Sequence, residues 1–251
     1  MRHAVTRLAI LVLAMQPWAG AVAADLVVSA AASLTNAFTD IGRDFERAHP
    51  GTKVAFNFGG SGQLLQQIAK GAPVDVFASA DQETMDRAQQ QGLLRSGSRV
   101  DFARNVLVLV VPGGANADIG KLAELAGDRF RRVAIGNPDS VPVGRYSKSV
   151  LVEQGLWEPL KDKVISTQNV RQSLDYVARG EVDAAFVYRT DAALMREKVK
   201  VALEVPTASP VLYPIAVIED SRQAEAAAAF VAFVRAPAGT QILQKYGFLK
   251  P

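Results

Sequence analysis

Val27-Val28-Ser29-Ala30-Ala31-Ala32-Ser33-Leu34-Thr35-Asn36-Ala37-Phe38 begins as an apolar, β-prone run and passes through small residues into a helical pattern. Leu34, Ala37, Phe38, Ile41 and Phe45 recur at i, i+3, i+4, i+7 and i+11, one face of an amphipathic helix. Ser33 stands just before that run, where an N-cap belongs. The stretch predicts a strand, a short turn and a helix with a serine hydroxyl at its start. A helix start carries unpaired N–H groups and the positive end of the helix dipole, so it suits an anion. Most N-cap serines only cap, so this stretch alone leaves both readings open.

Outward from it, strand and helix alternate. Leu26–Ala30 is a strand and Leu34–Ala48 a helix, ended by His49-Pro50-Gly51 because proline cannot continue it and glycine suits the cap. Lys53–Phe58 is a strand. Gly59-Gly60-Ser61-Gly62 opens a helix carrying Leu64, Leu65 and Ile68, which Gly71-Ala72-Pro73 closes. Val74–Ala78 is a short buried strand and Gln82–Gln91 a helix. Val106–Val111 is an unusually apolar β run, and then the alternation resumes. Arg132–Ile135 and Val164–Ser166 are strands. The helices are Arg145–Gln154, after the loop Asn137–Gly144, and Val170–Arg179. Ala184–Tyr188 is a buried strand, followed by helix Thr190–Arg196 and strand Val199–Glu204. Val211–Ile218 is a second long apolar strand, before an alanine-rich helix, Ser221–Val234, and a closing segment, Ala236–Tyr246.

This alternation predicts an α/β protein with mostly parallel sheets flanked by helices. Two such series, linked near Val106 and near Val211, fit two lobes between which the chain crosses twice. Residues 25–104 and 213–251 then form lobe 1, and residues 105–212 form lobe 2. One continuous sheet is the alternative that periodicity leaves open. A cleft between two lobes, at the carboxyl ends of the strands, is a natural ligand site.

Residues 1–24 read as a secretory signal: Arg2, His3 and Arg7 form a positive n-region, and Leu8–Met15 is an apolar core too short to span a bilayer. Ala21-Val22-Ala23 is a small-x-small cleavage site, so the mature chain is expected to be exported and soluble. The leader holds no acidic residue, so its loss brings the net charge of +3 down to +1. No basic stripe with interleaved aromatics is present, so nucleic acid is not an expected partner. The sequence has no cysteine, which excludes disulfides, thiolate metal sites, a cysteine nucleophile and a lipidated cysteine.

Four loops combine a helix start with small or cap-forming residues: those at Ser33, Ser61, Val143-Gly144 and Asn169-Val170. Gly59, Gly60 and Gly62 allow close backbone approach and an anion-binding nest. Tyr188 ends a buried strand and offers a phenolic donor. Uncharged donors from two lobes suit a small dianion without leaving unpaired cations buried when the site is empty. An enzyme fits poorly. The mature chain's one histidine, His49, sits at a helix end, a poor base for a Ser-His-Asp triad. Gly59-Gly60-Ser61-Gly62-Gln63 lacks the last glycine of a hydrolase elbow. Gly114 to Gly120-Lys121 has the wrong spacing for a phosphate loop. Arg145, Lys148 and Arg171 read as solvated helix charges, and Asp81, Asp139 and Asp183 as caps or loop anchors.

Ala30-Ala31-Ala32-Ser33-Leu34-Thr35-Asn36-Ala37, Gly71-Ala72-Pro73-Val74-Asp75-Val76-Phe77, Ser79-Ala80-Asp81, Gly136-Asn137-Pro138-Asp139-Ser140-Val141-Pro142-Val143-Gly144-Arg145-Tyr146 and Val187-Tyr188 together resemble the periplasmic molybdate-binding proteins of ABC uptake systems. The resemblance runs in order from about Leu26 to the C-terminus. It implies the two-lobed periplasmic-binding-protein fold and a tetrahedral oxyanion, molybdate and with it tungstate, held by hydrogen bonds alone. It implies hydroxyl and N–H donors at Ser33 and Ser61, N–H donors at Val143 and Val170, and a hydroxyl donor at Tyr188. The molybdenum is then held only through its oxygens. No catalytic residue and no cofactor are implied. The implied partner is an inner-membrane ABC transporter permease, and the protein is expected to be a periplasmic monomer. Receptors for sulfate, phosphate or an organic acid are the alternatives. In two departures from the family pattern, Gly60 and Gly62 stand where further serines are common, and Val143 stands where alanine is common.

Overall fold

The computed structural model describes residues 25–114 and 119–251. The expected leader, 1–24, lies outside the described residues. Strand β1 (Leu26–Ala31) leads through a single 3-10 turn, Ala32–Leu34, into α1 (Thr35–Ala48). The buried face of α1 is Ala37, Phe38, Ile41, Gly42 and Phe45; all but Gly42 belong to the stripe read from the sequence, whose first member, Leu34, is buried in the preceding turn. Strands β2 (Val54–Gly59) and β3 (Val76–Ala78) alternate with α2 (Ser61–Ala69) and α3 (Gln82–Gln90). Strand β4 (Val100–Asn105) follows, and then β5 (Leu107–Pro112).

The second series holds β6 (Val133–Gly136), α4 (Pro142–Glu153), a short α5 (Trp157–Leu160), β7 (Val164–Thr167), α6 (Val170–Ala178), β8 (Ala184–Tyr188), α7 (Arg189–Leu194) and β9 (Val199–Glu204). Strand β10 (Val211–Val217), α8 (Ala224–Arg235) and α9 (Pro237–Lys245) complete the chain.

The strands form two five-stranded sheets with equivalent plans. The orders are β2-β1-β3-β10-β4 and β7-β6-β8-β5-β9. Each sheet is mixed: the first three strands pair in parallel, and the last two pairings are antiparallel. The chain leaves the first sheet after Asn105, enters the second at Leu107, and returns between Glu204 and Val211. The two apolar runs expected to link the lobes are therefore strands, one in each sheet, and the crossings lie at their N-terminal ends. Strand β5 is apolar throughout because Leu107 to Val111 are all buried.

Three boundaries differ from the sequence reading for local reasons. Strand β4 was not foreseen, because Val100-Asp101-Phe102-Ala103-Arg104-Asn105 mixes charge with apolar residues. Helix α4 begins three residues before the expected Arg145, with Pro142 in its first turn, where a missing N–H costs nothing. Helix α8 starts at Ala224, not at Ser221. Ser221 instead donates its hydroxyl to Asp75 Oδ1 at 2.7 Å, and Val27 N–H donates to Asp75 Oδ2 at 2.8 Å. Asp75 thus ties the start of β1 to the entry of α8.

The lobe 1 core is aromatic. Phe38 lies 5.6 Å from Phe102 and 6.0 Å from Phe230, and Phe45 lies 5.2 Å from Phe230, by ring centroids. Burying each such ring contributes about 2–3 kcal/mol. In lobe 2, α4 packs so closely on β6 that a Cβ at Gly144 would overlap the Gly136 carbonyl. Gly144→Ala should therefore destabilise the protein by roughly 3 kcal/mol, the upper range of overpacking costs, measured by urea denaturation; an unchanged midpoint would contradict this packing.

Candidate functional site

The starts of α2, α4 and α6 and the turn before α1 meet at one small, tightly closed cavity. Its walls are Ala31, Ala32, Ser33, Gly59, Gly60, Ser61 and Ala80 from the first series and Val141, Pro142, Val143, Asn169, Val170 and Tyr188 from the second. All five residues singled out from the sequence lie in this one lining. Among the described residues, the lining contains no lysine, arginine, histidine, aspartate or glutamate.

Each lining element has a local reason to offer donors. Ser61, Val143 and Val170 occupy the first turns of α2, α4 and α6, whose N–H groups have no acceptor within the helix. Asn169 caps α6 by accepting from the N–H groups of Arg171 and Gln172 at 3.0 and 3.1 Å. The Val170 N–H is not among the groups that Asn169 takes up. The N–H of Ala80 donates to Ser61 Oγ at 3.1 Å. Because a backbone N–H only donates, that hydroxyl accepts, and its own proton is available to a ligand. Tyr188 is 1% exposed and its hydroxyl has no partner among the described residues. Burial, then the neighbouring phenol of Tyr213, pushes its pKa well above the usual tyrosine value, so it stays a donor.

Ser33 does not cap α1 as the sequence suggested. It lies inside the 3-10 turn, and Leu34 precedes the α-helix without a side-chain cap. The reason is tertiary: Ser33 Oγ lies 3.0 Å from the hydroxyl of Tyr213, on the strand that returns from lobe 2. Asp81 does cap, accepting from Thr84 N–H at 3.2 Å. Asp183 anchors the entry to β6 by accepting from the N–H groups of Arg131 and Arg132.

The lobes touch around the cavity. Gly62 N–H donates to Ser140 O at 2.9 Å across the cleft. A Cβ at Gly60 would lie 2.7 Å from Gln168 O, and one at Gly62 would lie 2.7 Å from Ser140 O. This approach accounts for two glycines where further serines were expected: there is no room for a side chain at either position.

Arg145 and Arg171 are not the solvated charges expected from the sequence. Arg145 donates from Nε to Asp81 Oδ2 at 2.8 Å and from Nη2 to Thr84 Oγ1 at 2.6 Å, both in the other lobe. Arg171 pairs with the wholly buried Asp191 at 2.5 Å, then reaches across to Asn36 Oδ1 at 2.9 Å and Ser33 O at 3.2 Å. The two arginines thus bridge the lobes beside the cavity. Their one sequence signal is position: Arg145 comes two residues after Val143, and Arg171 one after Val170.

Two α/β lobes, crossed twice by the chain and meeting over a donor-lined cavity, define a solute-binding protein. The chain belongs to the bacterial extracellular solute-binding protein family, whose sequence profile matches residues 26–249. It is 38% identical over 232 residues to the molybdate-binding protein ModA of Mycobacterium tuberculosis (strain ATCC 25618 / H37Rv), covering 91% of this chain and 86% of that one. It is 36% identical over 232 residues to the molybdate-binding protein ModA of Escherichia coli (strain K12), covering 89% and 88%. The solved periplasmic molybdate-binding protein of Azotobacter vinelandii matches with a TM-score of 0.79 at 25% identity, over 90% of this chain and 99% of that one. These relatives bear out the resemblance read from the sequence.

Burial raises the pKa of Asp191, and the Arg171 guanidinium opposes that shift. In Arg171→Ala the opposing charge is gone, so Asp191 escapes its penalty only by taking up a proton. The variant should lose about 3–5 kcal/mol at neutral pH, the cost of breaking a buried pair. Its folded-state pKa then lies above the unfolded value, so the deficit should grow as pH rises. Urea denaturation at about pH 5 and about pH 8 tests the sign; a deficit independent of pH would contradict it.

Proposed function

We propose that this chain is a periplasmic receptor that captures molybdate, and tungstate with it, in the cavity between its lobes and delivers it to an inner-membrane ABC importer. The observation that carries this reading is the buried Tyr188 hydroxyl, which has no partner among the described residues, in a cavity whose described walls offer donors and no formal charge. A tetrahedral dianion presents acceptors on all sides, so it satisfies those donors together. The hydroxyls and N–H groups of Ser33 and Ser61, the N–H groups of Val143 and Val170, and the hydroxyl of Tyr188 are the groups we assign to it. Molybdenum enters as part of its oxyanion and is held only through the oxygens. No resident cofactor is part of this reading.

Lobe 1, residues 25–104 and 213–251, and lobe 2, residues 105–212, close on the ligand about the two crossings, and the closed monomer docks on the permease. The protein acts as a receptor and not as an enzyme. Its mature histidine, His49, stacks on Phe45 at 4.1 Å between ring centroids and bonds to the Phe45 carbonyl at the end of α1, away from the cavity. Sulfate offers the same acceptors but is smaller, so it makes fewer contacts at once. Phosphate carries an O–H at neutral pH, which meets only donors.

A thermal-shift series with molybdate, tungstate, sulfate and phosphate tests the assignment, since a ligand that binds only the folded form raises the midpoint according to RT ln(1 + [L]/Kd). Large shifts with molybdate and tungstate alone are expected. A shift with sulfate or phosphate alone would keep the receptor and overturn the ligand. Ser61→Ala should weaken molybdate binding by about 1–3 kcal/mol, the cost of losing a hydrogen bond to a charged partner; unchanged affinity by calorimetry would remove Ser61 from the site.

A further inference from the structure

The hydroxyl of Ser33 ends a hydrogen-bond chain whose direction is readable atom by atom. Val106, the residue between β4 and β5, donates its N–H to Asn105 Oδ1 at 2.9 Å. A backbone N–H only donates, so the Asn105 amide is fixed with its oxygen toward Val106 and its NH2 group on the other side. That NH2 group donates to Thr190 Oγ1 at 2.8 Å and to the Tyr213 hydroxyl at 3.2 Å. The phenolic oxygen is then an acceptor already, and its own proton is left to donate to Ser33 Oγ at 3.0 Å. Ser33 Oγ in turn accepts from Tyr213, which frees the serine proton for the cavity. Ser61 reaches the same state by a shorter route, through the N–H of Ala80.

Asn105 and Tyr213 do not line the cavity. They are 5% and 0% exposed, so water does not compete for these bonds. Left to itself, a serine hydroxyl rotates and serves a ligand as donor or acceptor. Held by Tyr213, its oxygen is already engaged as an acceptor and its proton is kept for the ligand. We propose that Asn105 and Tyr213 are positioning residues that bias Ser33 toward donating, and that this disfavours oxyanions carrying a proton. The inference rests on the receptor reading above. It makes discrimination against protonated anions a property of the chain crossing, since Asn105 is the last residue of β4 and the chain enters the second sheet at Leu107.

The test compares molybdate with arsenate, a tetrahedral oxyanion that keeps one O–H at mildly alkaline pH. Calorimetry gives the molybdate affinity, and competition against molybdate gives that of arsenate. In Tyr213→Phe, Ser33 loses its donor and gains an acceptor position toward the cavity. Molybdate should bind about tenfold more weakly, the equivalent of one hydrogen bond. Arsenate should bind as well as before or better, so the molybdate-to-arsenate ratio falls by about the same factor or more. Asn105→Asp is the second variant. Its carboxylate still accepts from Val106 but cannot donate to Tyr213, so the phenol turns toward it and away from Ser33. The added charge penalises both anions, and the ratio still falls. Equal losses for both anions in the folded variants, or unchanged molybdate affinity, would overturn the proposal and leave Tyr213 a packing residue. Failure of the unaltered protein to bind molybdate would instead overturn the receptor reading itself.

Discussion

Backbone N–H groups at a helix start have no acceptor within the helix, and a buried donor without a partner is costly. In this protein three such starts and the turn before α1 are brought to one point, half from each lobe. Whatever satisfies them must sit between the lobes, which couples occupancy of the cavity to contact between the lobes. The lobes in turn meet backbone to backbone, at Gly62 and Ser140 and at Gly60 and Gln168. The glycines set how closely the donors of the two halves converge.

Charge is handled separately from binding. The two arginines nearest the cavity are engaged by carboxylates, Arg145 by Asp81 and Arg171 by Asp191, and both span the cleft. A dianion facing free guanidinium groups would be held by charge alone, with little regard to its shape or protonation. With the arginines occupied, the cavity lining presents oriented dipoles instead of free charge, and in the proposed receptor these discriminate by geometry and by which side carries the proton. The hydroxyl network at the crossing extends the same logic to Ser33.

The sheets explain why the helix starts converge. In each sheet three parallel strands end on the same side, and their connections turn there into helices. Ala31 and Gly59 close β1 and β2 at the cavity, and Tyr188 closes β8. The antiparallel strands β5 and β10 carry the chain between sheets, and their starts lie at the crossings. Helix α4 shows how one residue shifts such a boundary. Pro142 reads as a loop residue by composition, but at a first helical turn its missing N–H is harmless, and Val143 thereby joins the helix start.

Periodicity in the sequence by itself determined the α/β class, most elements to within a few residues, and two series of strands and helices. The five cavity residues were also legible, because each sits at a helix start or strand end beside small residues, and their series resembles one family. Tertiary structure alone decided the partners. Arg145 lies 64 positions from Asp81, Arg171 lies 135 from Asn36, and Ser33 lies 180 from Tyr213. A local pattern cannot encode a partner so distant, which is why charges that looked solvated are bridges and a serine that looked like a cap is held by a phenol. Propensity and spacing act over one or two turns of chain; the direction of a hydrogen bond and the closeness of two lobes arise only when the packed sheets bring distant residues together.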